Sequence, residues 1–262
     1  MTDLLPAFDL GPVTRMLLRR KDKAARAAGE SLQRLRDARS AVHDLIYASE
    51  LLDFLAGEDL REGPGTLPVS ARGTFLSNAI LLYVRATQQG KSRKGSGRNH
   101  LDVRPSMTTE QQAKHDNLAN IRNKSIAHLD TDGPIEDRSY DEDVLIVVHD
   151  PLVGHRFDVA CSRLIFQADL EDDVRALVGA AIEAGWEIIR KRAAQAAEKL
   201  RDASRVEPEI GQMIQKYPFD AVRFFGSEEI ADAFLRQSIF RKPGDDEFDQ
   251  VIFEGWPSTK GR

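Results

Sequence analysis

The sequence contains a single cysteine, Cys161, among its 262 residues, which excludes an internal disulfide and a zinc site built from several cysteines. It contains no run of about 18 apolar residues, the length that indicates a membrane-spanning helix. The first residues also lack the short apolar core of a secretory signal peptide. We therefore expect a cytoplasmic protein that makes no contact with a membrane.

Positive charge is less abundant than negative charge in this chain. Lysine and arginine together number 37, aspartate and glutamate 42, and the formal net charge is −5. This balance excludes a generally basic nucleic-acid-binding protein, so any contact with RNA must come from a local basic patch. With 41% hydrophobic and 30% charged residues, the composition predicts a soluble globular protein with one large domain or one domain with an appendage.

Three stretches of the chain have the apolar periodicity of helices. Residues 31 to 56 repeat apolar side chains at steps of three, four or seven, and residues 169 to 204 do so in heptad-like steps. Residues 70 to 89 are apolar on nearly every side, which predicts a helix at the centre of a bundle. Arg85 lies within this apolar helix and, if buried there, needs a carboxylate or a phosphate as partner.

The remaining segments complete a fold that we predict to be mainly α. Residues 15 to 28 predict a basic helix, and two β-rich runs at 144 to 148 and 156 to 166 predict a β-hairpin. The expected architecture is an antiparallel helical bundle with a small β-hairpin insertion and a short helical C-terminal extension. The predicted segments are an N-terminal arm and basic helix at 1–30, the bundle at 31–205 with the hairpin at about 143–167, and the extension at 206–262.

Residues 118 to 130, which read L-A-N-I-R-N-K-S-I-A-H-L-D, gather more groups able to act on a phosphate than any other stretch. Thr108 followed three residues later by Gln111 is the pattern of a helix-capping box. A Gly-Pro pair at 133–134 supplies a stop signal, because proline cannot continue the helix. We therefore predict one helix over residues 109–129, with ends uncertain by a few residues.

One side of this predicted helix combines apolar side chains with an arginine and a histidine. At about 100° per residue, that side carries His115, Leu118, Ala119, Arg122, Ile126 and Leu129. His128 lies six residues after Arg122 and points well away from it on an ideal helix. The two side chains converge only if the last turn distorts or if two copies of the helix face each other.

Arg122-Asn123 followed by His128 resembles the R-polar-x(4-6)-H signature of HEPN domains, which are all-helical modules of prokaryotic toxin, phage-defence and RNA-processing systems. The longer pattern H-x6-R-N-K-x2-A-H-x-D, which begins at His115, is similar to that of many bacterial HEPN-like proteins, including abortive-infection-like ones. Residues 77 to 86 also resemble a helix that lies upstream of the motif in those proteins. The resemblance implies that the bundle is HEPN-like.

The resemblance covers about residues 30 to 200 and implies metal-independent RNA cleavage at the interface of a homodimer. In that reaction a 2′-hydroxyl attacks the adjacent phosphate and leaves a 2′,3′-cyclic phosphate. The resemblance implies that His128 transfers a proton, that Arg122 stabilises phosphoryl charge and that Asn123 orients the histidine or the phosphate. No cofactor or metal is implied. RNA, a second copy of the chain and an antitoxin or defence-system protein are the implied partners.

Other side chains are predicted to contact an RNA substrate. The loop at residues 90–100 is basic, contains three glycines and lacks acidic residues, so it attracts a phosphate backbone electrostatically. Structural roles are the alternatives: a satisfied half-buried histidine, an arginine in a salt bridge and a solvated basic loop. The predicted substrate contacts are His115, Arg85, Lys124, Lys91, Arg93 and Lys94.

Three other interpretations of the motif remain open. Arg122 and His128, near a helix C-terminus, can interact with the helix macrodipole or pair with Asp130 without any chemistry. The same two residues can recognise phosphate in a non-catalytic helical module that binds RNA or a protein. The third interpretation is a metal-dependent phosphohydrolase of the HD type, for which the chain offers the pairs His43-Asp44, His115-Asp116 and His149-Asp150.

Overall fold

The described part of the chain is mainly helical, as predicted from the sequence. The computed structural model describes residues 6–56, 66–88, 100–123, 142–150, 154–162 and 168–236. None of the described helices combines the length and the hydropathy needed to cross a bilayer. The elements in chain order are α1 (Leu10–Arg19), α2 (Lys23–Ala56), α3 (Thr66–Thr87), a one-turn 3₁₀ helix (Arg104–Ser106), α4 (Thr109–Ile121), β1 (Glu142–Asp150), β2 (Gly154–Ser162), α5 (Ala168–Val206), α6 (Glu209–Gln215), α7 (Ala221–Phe225) and α8 (Glu228–Arg236).

The chain forms two compact units. The terminal unit consists of Met1–Arg39 and Trp186–Arg262, and the central unit consists of Ser40–Gly185. The long helices α2 and α5 each contribute residues to both units. The boundaries that we predicted near residues 30 and 205 lie within the terminal unit.

The terminal unit has its own apolar core, to which both ends of the described chain contribute. Near the N-terminus, the backbone N–H of Asp9 donates to the carbonyl of Tyr217 at 2.8 Å. The N–H of Phe219 donates to the carbonyl of Ala7 at 2.9 Å. The buried core residues are Val13, Leu17, Ala25, Ala28, Leu32, Ala196, Leu200, Ala203, Ile210 and Ile214.

The predicted basic helix over residues 15–28 is wrong, because the helix boundary lies within it. α1 ends at Arg19, and α2 begins at Lys23 with the Asp22 carboxylate accepting from the backbone N–H of Ala25 at 2.8 Å. α2 then continues through Gly29 to Ala56 without a break. A Cβ on Gly29 would lie 3.0 Å from the Cβ of Leu17, so the glycine allows α1 to pack closely on α2.

In the central unit, α2 and α3 run antiparallel. Arg85 of α3 donates two hydrogen bonds to Asp44 of α2. Phe54 lies ten residues after Asp44 on α2, and Phe75 lies ten residues before Arg85 on α3. The rings of these two phenylalanines are in contact, with their centroids 5.0 Å apart. The largest buried side chains of this unit are Tyr83, Leu45, Leu52, Leu55, Leu76, Ile80, Leu101, Leu118, Ile121 and Leu177.

The two strands of the central unit form an antiparallel pair. Their register runs from Glu142 opposite Ser162 to Asp150 opposite Gly154. Of the side chains on these strands, the structure describes that of Val147, which is exposed. In the terminal unit, three short helices, α6 to α8, follow residue 206 as predicted.

We expect the substitution Gly185→Ala to destabilise the protein by about 1–3 kcal/mol, because the added methyl must displace neighbours in a packed core. A Cβ at this position would lie 2.6 Å from Cγ2 of Val42. The matched control is Gly179→Ala on the same helix, where a Cβ would have no neighbouring atom within 4 Å. The control should stabilise the protein by about 0.4–1 kcal/mol, since alanine loses less backbone entropy on folding. Urea unfolding measures both changes. If the two substitutions changed the free energy of unfolding in the same direction, the close packing of Gly185 against Val42 would be contradicted.

Candidate functional site

α4, which ends directly before the motif residues Arg122 and Asn123, begins at the capping box predicted from the sequence. The hydroxyl of Thr108 accepts from the backbone N–H of Gln111 at 3.2 Å, and Oε1 of Gln111 accepts from the N–H of Thr108 at 2.9 Å. Regular α-helix lasts to Ile121, and the cap residue Arg122 keeps the αR conformation, with its backbone N–H donating to the carbonyls of Leu118 and Ala119. The predicted helix end near residue 129 lies outside the described residues.

Arg122 and Asn123 lie together at the end of the described part of this helix. Nη1 of Arg122 donates a hydrogen bond to Oδ1 of Asn123 at 2.9 Å. Arg122 is half-buried and Asn123 is exposed, so the pair reaches the surface. The amide therefore orients the guanidinium without neutralising its charge.

Arg122 differs from the other central-unit arginines whose side chains are described. Each of the others has a carboxylate partner: Arg72 with Glu171, Arg85 with Asp44, Arg104 with Asp116 and Arg175 with Asp53. Within the described part of the chain, Arg122 has the neutral amide of Asn123 as partner and no carboxylate. Its positive charge is therefore left available to an anionic ligand by the residues described.

His115 is buried in the core of the central unit, with 5% of its surface exposed. Its Nδ1 lies 2.7 Å from the hydroxyl of Tyr83, and the two rings meet edge to face. Burial lowers the pKa of His115 and raises the pKa of Tyr83. Both rings are therefore neutral near pH 7 and one proton bridges them. This position matches the structural alternative for His115, since a buried ring does not contact a substrate at the surface.

Ion pairs hold the more exposed side of α4. Arg104 pairs with Asp116, and this guanidinium lowers the pKa of the Asp116 carboxyl. Lys114 lies 2.8 Å from Glu110 and 2.9 Å from Asp173 of α5, and these two carboxylates raise the pKa of Lys114. Such exposed pairs contribute little stability individually. They nevertheless link α4 to its neighbours on the two sides that flank the buried histidine.

Arg85 is not buried within α3, although most other side chains of this helix were predicted to be. Its side chain is 58% exposed, because α3 is not covered on every side at this position. Nε and Nη2 donate to the two carboxylate oxygens of Asp44 at 2.9 Å and 2.7 Å. This bidentate pair is the salt bridge that was the alternative to a phosphate contact.

Several predicted site residues lie outside the residues that the structure describes. The predictions for their roles are therefore neither supported nor contradicted by the geometry. Of the predicted catalytic residues, the described part of the chain contains two, Arg122 and Asn123, and brings them together. The predicted site residues outside it are His128, Lys124, Lys91, Arg93 and Lys94.

The described His-Asp pairs do not fit a metal-dependent phosphohydrolase. Neighbouring residues on a helix point in different directions, and Asp44 is buried whereas His43 is exposed. In the second pair, His115 is buried and Asp116 is exposed. Among the residues described, no three or more His, Cys, Asp or Glu side chains are grouped closely enough to hold a metal ion. The side chains of residues 149–150 lie outside the described part.

The hydrogen bond of Tyr83 to His115 was not predicted from the sequence, because Tyr83 was counted among the apolar residues of α3. A tyrosine in the middle of an apolar helix buries a hydroxyl, which must find a hydrogen-bond partner. His115 is also polar within the apolar side of its own helix. The feature of the sequence that could have predicted this pair is a polar side chain on the buried side of each of two helices.

Comparison of the chain with models of protein families, with curated proteins and with solved structures finds no match. No function is therefore transferred from a relative. The chemistry of the described side chains and of the motif around Arg122 is the basis for assigning one.

We expect the pH dependence of stability between about pH 5 and pH 8 to report on His115. Because burial lowers its folded-state pKa below the ordinary value of 6.5, the unfolded chain binds more protons at acid pH. The contribution of His115 is therefore complete above the unfolded-state pKa and is lost as the pH falls through that value toward the folded-state pKa. His115→Gln should flatten the dependence measured by urea unfolding. An unchanged slope in this variant would contradict the assignment.

Tyr83→Phe should lower the free energy of unfolding by about 1–3 kcal/mol, because it leaves Nδ1 of His115 buried without a partner. The matched control is Tyr47→Phe, since the side chain of Tyr47 is 51% exposed. The control should change stability by less than about 0.5 kcal/mol. Thermal unfolding followed by circular dichroism compares the two variants, and equal losses would argue against the buried hydrogen bond.

Proposed function

We propose that this protein is a metal-independent endoribonuclease of HEPN-like architecture, in which Arg122, Asn123 and His128 act on the RNA backbone. The observation that carries the proposal is the state of Arg122, held by a neutral amide and without a carboxylate in the described part of the chain. The planar donors of such a guanidinium suit the oxygens of a phosphodiester. The motif adds an imidazole that titrates near neutral pH.

The proposed reaction needs no reactant besides the RNA. The 2′ oxygen forms a bond to phosphorus while the bond from phosphorus to the 5′ oxygen breaks, which yields a 2′,3′-cyclic phosphate and a 5′-hydroxyl. A base removes the proton of the 2′-hydroxyl, and the departing 5′ oxygen takes up a proton. His128 serves in this proton transfer. Arg122 stabilises the charge that develops on the other phosphate oxygens, and Asn123 keeps the guanidinium in place.

The proposal includes a homodimer as the active form. Six steps of about 100° rotate His128 roughly 240° around the helix from Arg122, so a regular helix in one copy does not aim both side chains at one phosphate. If the predicted helix over residues 109–129 forms, two copies of it that face each other would bring Arg122 of one copy near His128 of the other. The motif resemblance makes a toxin or phage-defence role, with an antitoxin or defence-system protein as partner, part of the same proposal.

The decisive experiment incubates the purified protein with end-labelled single-stranded RNA in the presence of a chelator. We expect cleavage products that end in a 2′,3′-cyclic phosphate. Arg122→Ala should lower the rate by about 10²–10³-fold, as for loss of one charge-stabilising donor. His128→Ala should lower it by about 10²–10⁴-fold, as for loss of an acid-base group. Arg205→Ala, which removes an exposed arginine in the terminal unit, is the control for loss of positive charge.

Substitution of Asn123 separates charge from geometry. Asn123→Asp places a carboxylate where the amide oxygen now lies 2.9 Å from Arg122, and so neutralises the guanidinium. This variant should lose more activity than Asn123→Ala. RNA that is bound but not cut would instead favour a non-catalytic phosphate-binding module. Equal activity in all variants would remove the motif from the mechanism.

A further inference from the structure

An open apolar groove lies between α2 and α3 in the central unit. Its volume is about 480 Å³. Tyr47 and Phe54, two of its large side chains, are 51% and 58% exposed. The exposed rings and the groove between the two helices give a partner apolar surface to pack against. The lining residues are Tyr47, Glu50, Leu51, Phe54, Phe75 and Leu82.

The groove has the dimensions of two helical turns. Tyr47 and Phe54 are seven residues apart on α2, and Phe75 and Leu82 are seven residues apart on α3. Seven residues advance a helix by about 10.5 Å. Because the two helices are antiparallel, Tyr47 lies across from Leu82 as Phe54 lies across from Phe75. The two apolar walls therefore match in length.

Glu50 places one negative charge midway along this groove. The two neighbouring acids on the same part of α2 are both neutralised, Asp44 by Arg85 and Asp53 by Arg175. Within the described part of the chain, Glu50 is exposed and has no cationic partner. The groove thus combines two apolar walls with an uncompensated carboxylate between them.

We propose that this groove binds an amphipathic helix of another protein, with a lysine or arginine of that helix on Glu50. A helix presents apolar side chains at i, i+3 or i+4, and i+7, a spacing that spans the distance from Tyr47 to Phe54. The basic residue of the bound helix lies between its apolar anchors, as Glu50 lies between the two aromatic residues. Charge complementarity then selects a basic helix over an acidic one.

A second copy of this chain is a poor occupant of the groove. A symmetric dimer pairs the same surface on both copies, so two Glu50 carboxylates would be buried in one apolar interface. Like charges placed together in that way oppose association. The proposed site is therefore distinct from the dimer surface that the ribonuclease reaction requires, and its test does not depend on RNA cleavage.

The test uses two labelled helical peptides of about 14 residues, or four turns. Both carry leucines at i, i+3 and i+7, and they differ by lysine or glutamate at i+4. Fluorescence anisotropy with the full chain should show that the lysine peptide binds about tenfold or more tightly than the glutamate peptide, because a like charge would face Glu50. Glu50→Lys should reverse this preference. Phe54→Ala should weaken the binding of both peptides.

Glu187→Lys is the matched control, since it makes the same change of charge at an exposed position in the terminal unit. It should leave the preference for the lysine peptide unchanged. Circular dichroism verifies that each variant retains its helix content. The proposal is overturned if neither peptide binds, or if Glu50→Lys does not alter the preference. It is overturned as well if Phe54→Ala converts a dimer of the chain into monomers, because a second copy would then occupy the groove.

Discussion

The hydrogen bond between Tyr83 and His115 is the constraint on which the geometry of the motif helix depends. It joins α3 to α4 inside the core, where an unpaired partner on either side would be costly. Arg122 follows His115 by two helical turns and lies on the same side of α4. Fixing the histidine in the core therefore fixes the direction of the arginine, which emerges half-buried at the end of the helix.

Charge pairing in the central unit gives Arg122 and Glu50 their significance. Arg72, Arg104 and Arg175 are neutralised by carboxylates from the described residues. Arg122 presents a cation beside a neutral amide, whereas Glu50 presents an anion between aromatic rings. Because the two charges have opposite sign and different surroundings, they suit different ligands. We propose a phosphate for the first and a basic helix for the second.

The sequence predicted most reliably what depends on local chemistry. The capping box at Thr108 was confirmed, because both of its hydrogen bonds join residues three apart. A salt bridge of Arg85 was one of the predicted alternatives. The exposure of the Arg85 side chain was not predicted, because the burial of α3 depends on which other elements pack against it. The partnership of Tyr83 and His115 joins residues 32 apart, a pairing that periodicity within one helix does not encode.

The boundary between α1 and α2 shows the same limit. Glycine is unfavourable inside a helix, yet α2 continues without a break at Gly29, because Leu17 of α1 packs closely where a side chain at this position would lie. Close approach of two helices is a tertiary property, and it overrode the local propensity. The two compact units were missed for a related reason, since α2 and α5 each pass between them without interruption in sequence or in helix.

The terminal unit is discontinuous in the chain, and this has a consequence for the order of events during synthesis. The central unit is one continuous segment, so all of it leaves the ribosome before the C-terminal part of the terminal unit is complete. Leu17 and Leu32 must wait for Leu200 and Ile214 before their shared core can close. Bringing such distant segments together is slow relative to local contacts. The nascent N-terminal helices therefore expose leucines that a chaperone can bind until Leu200 and Ile214 have been synthesised.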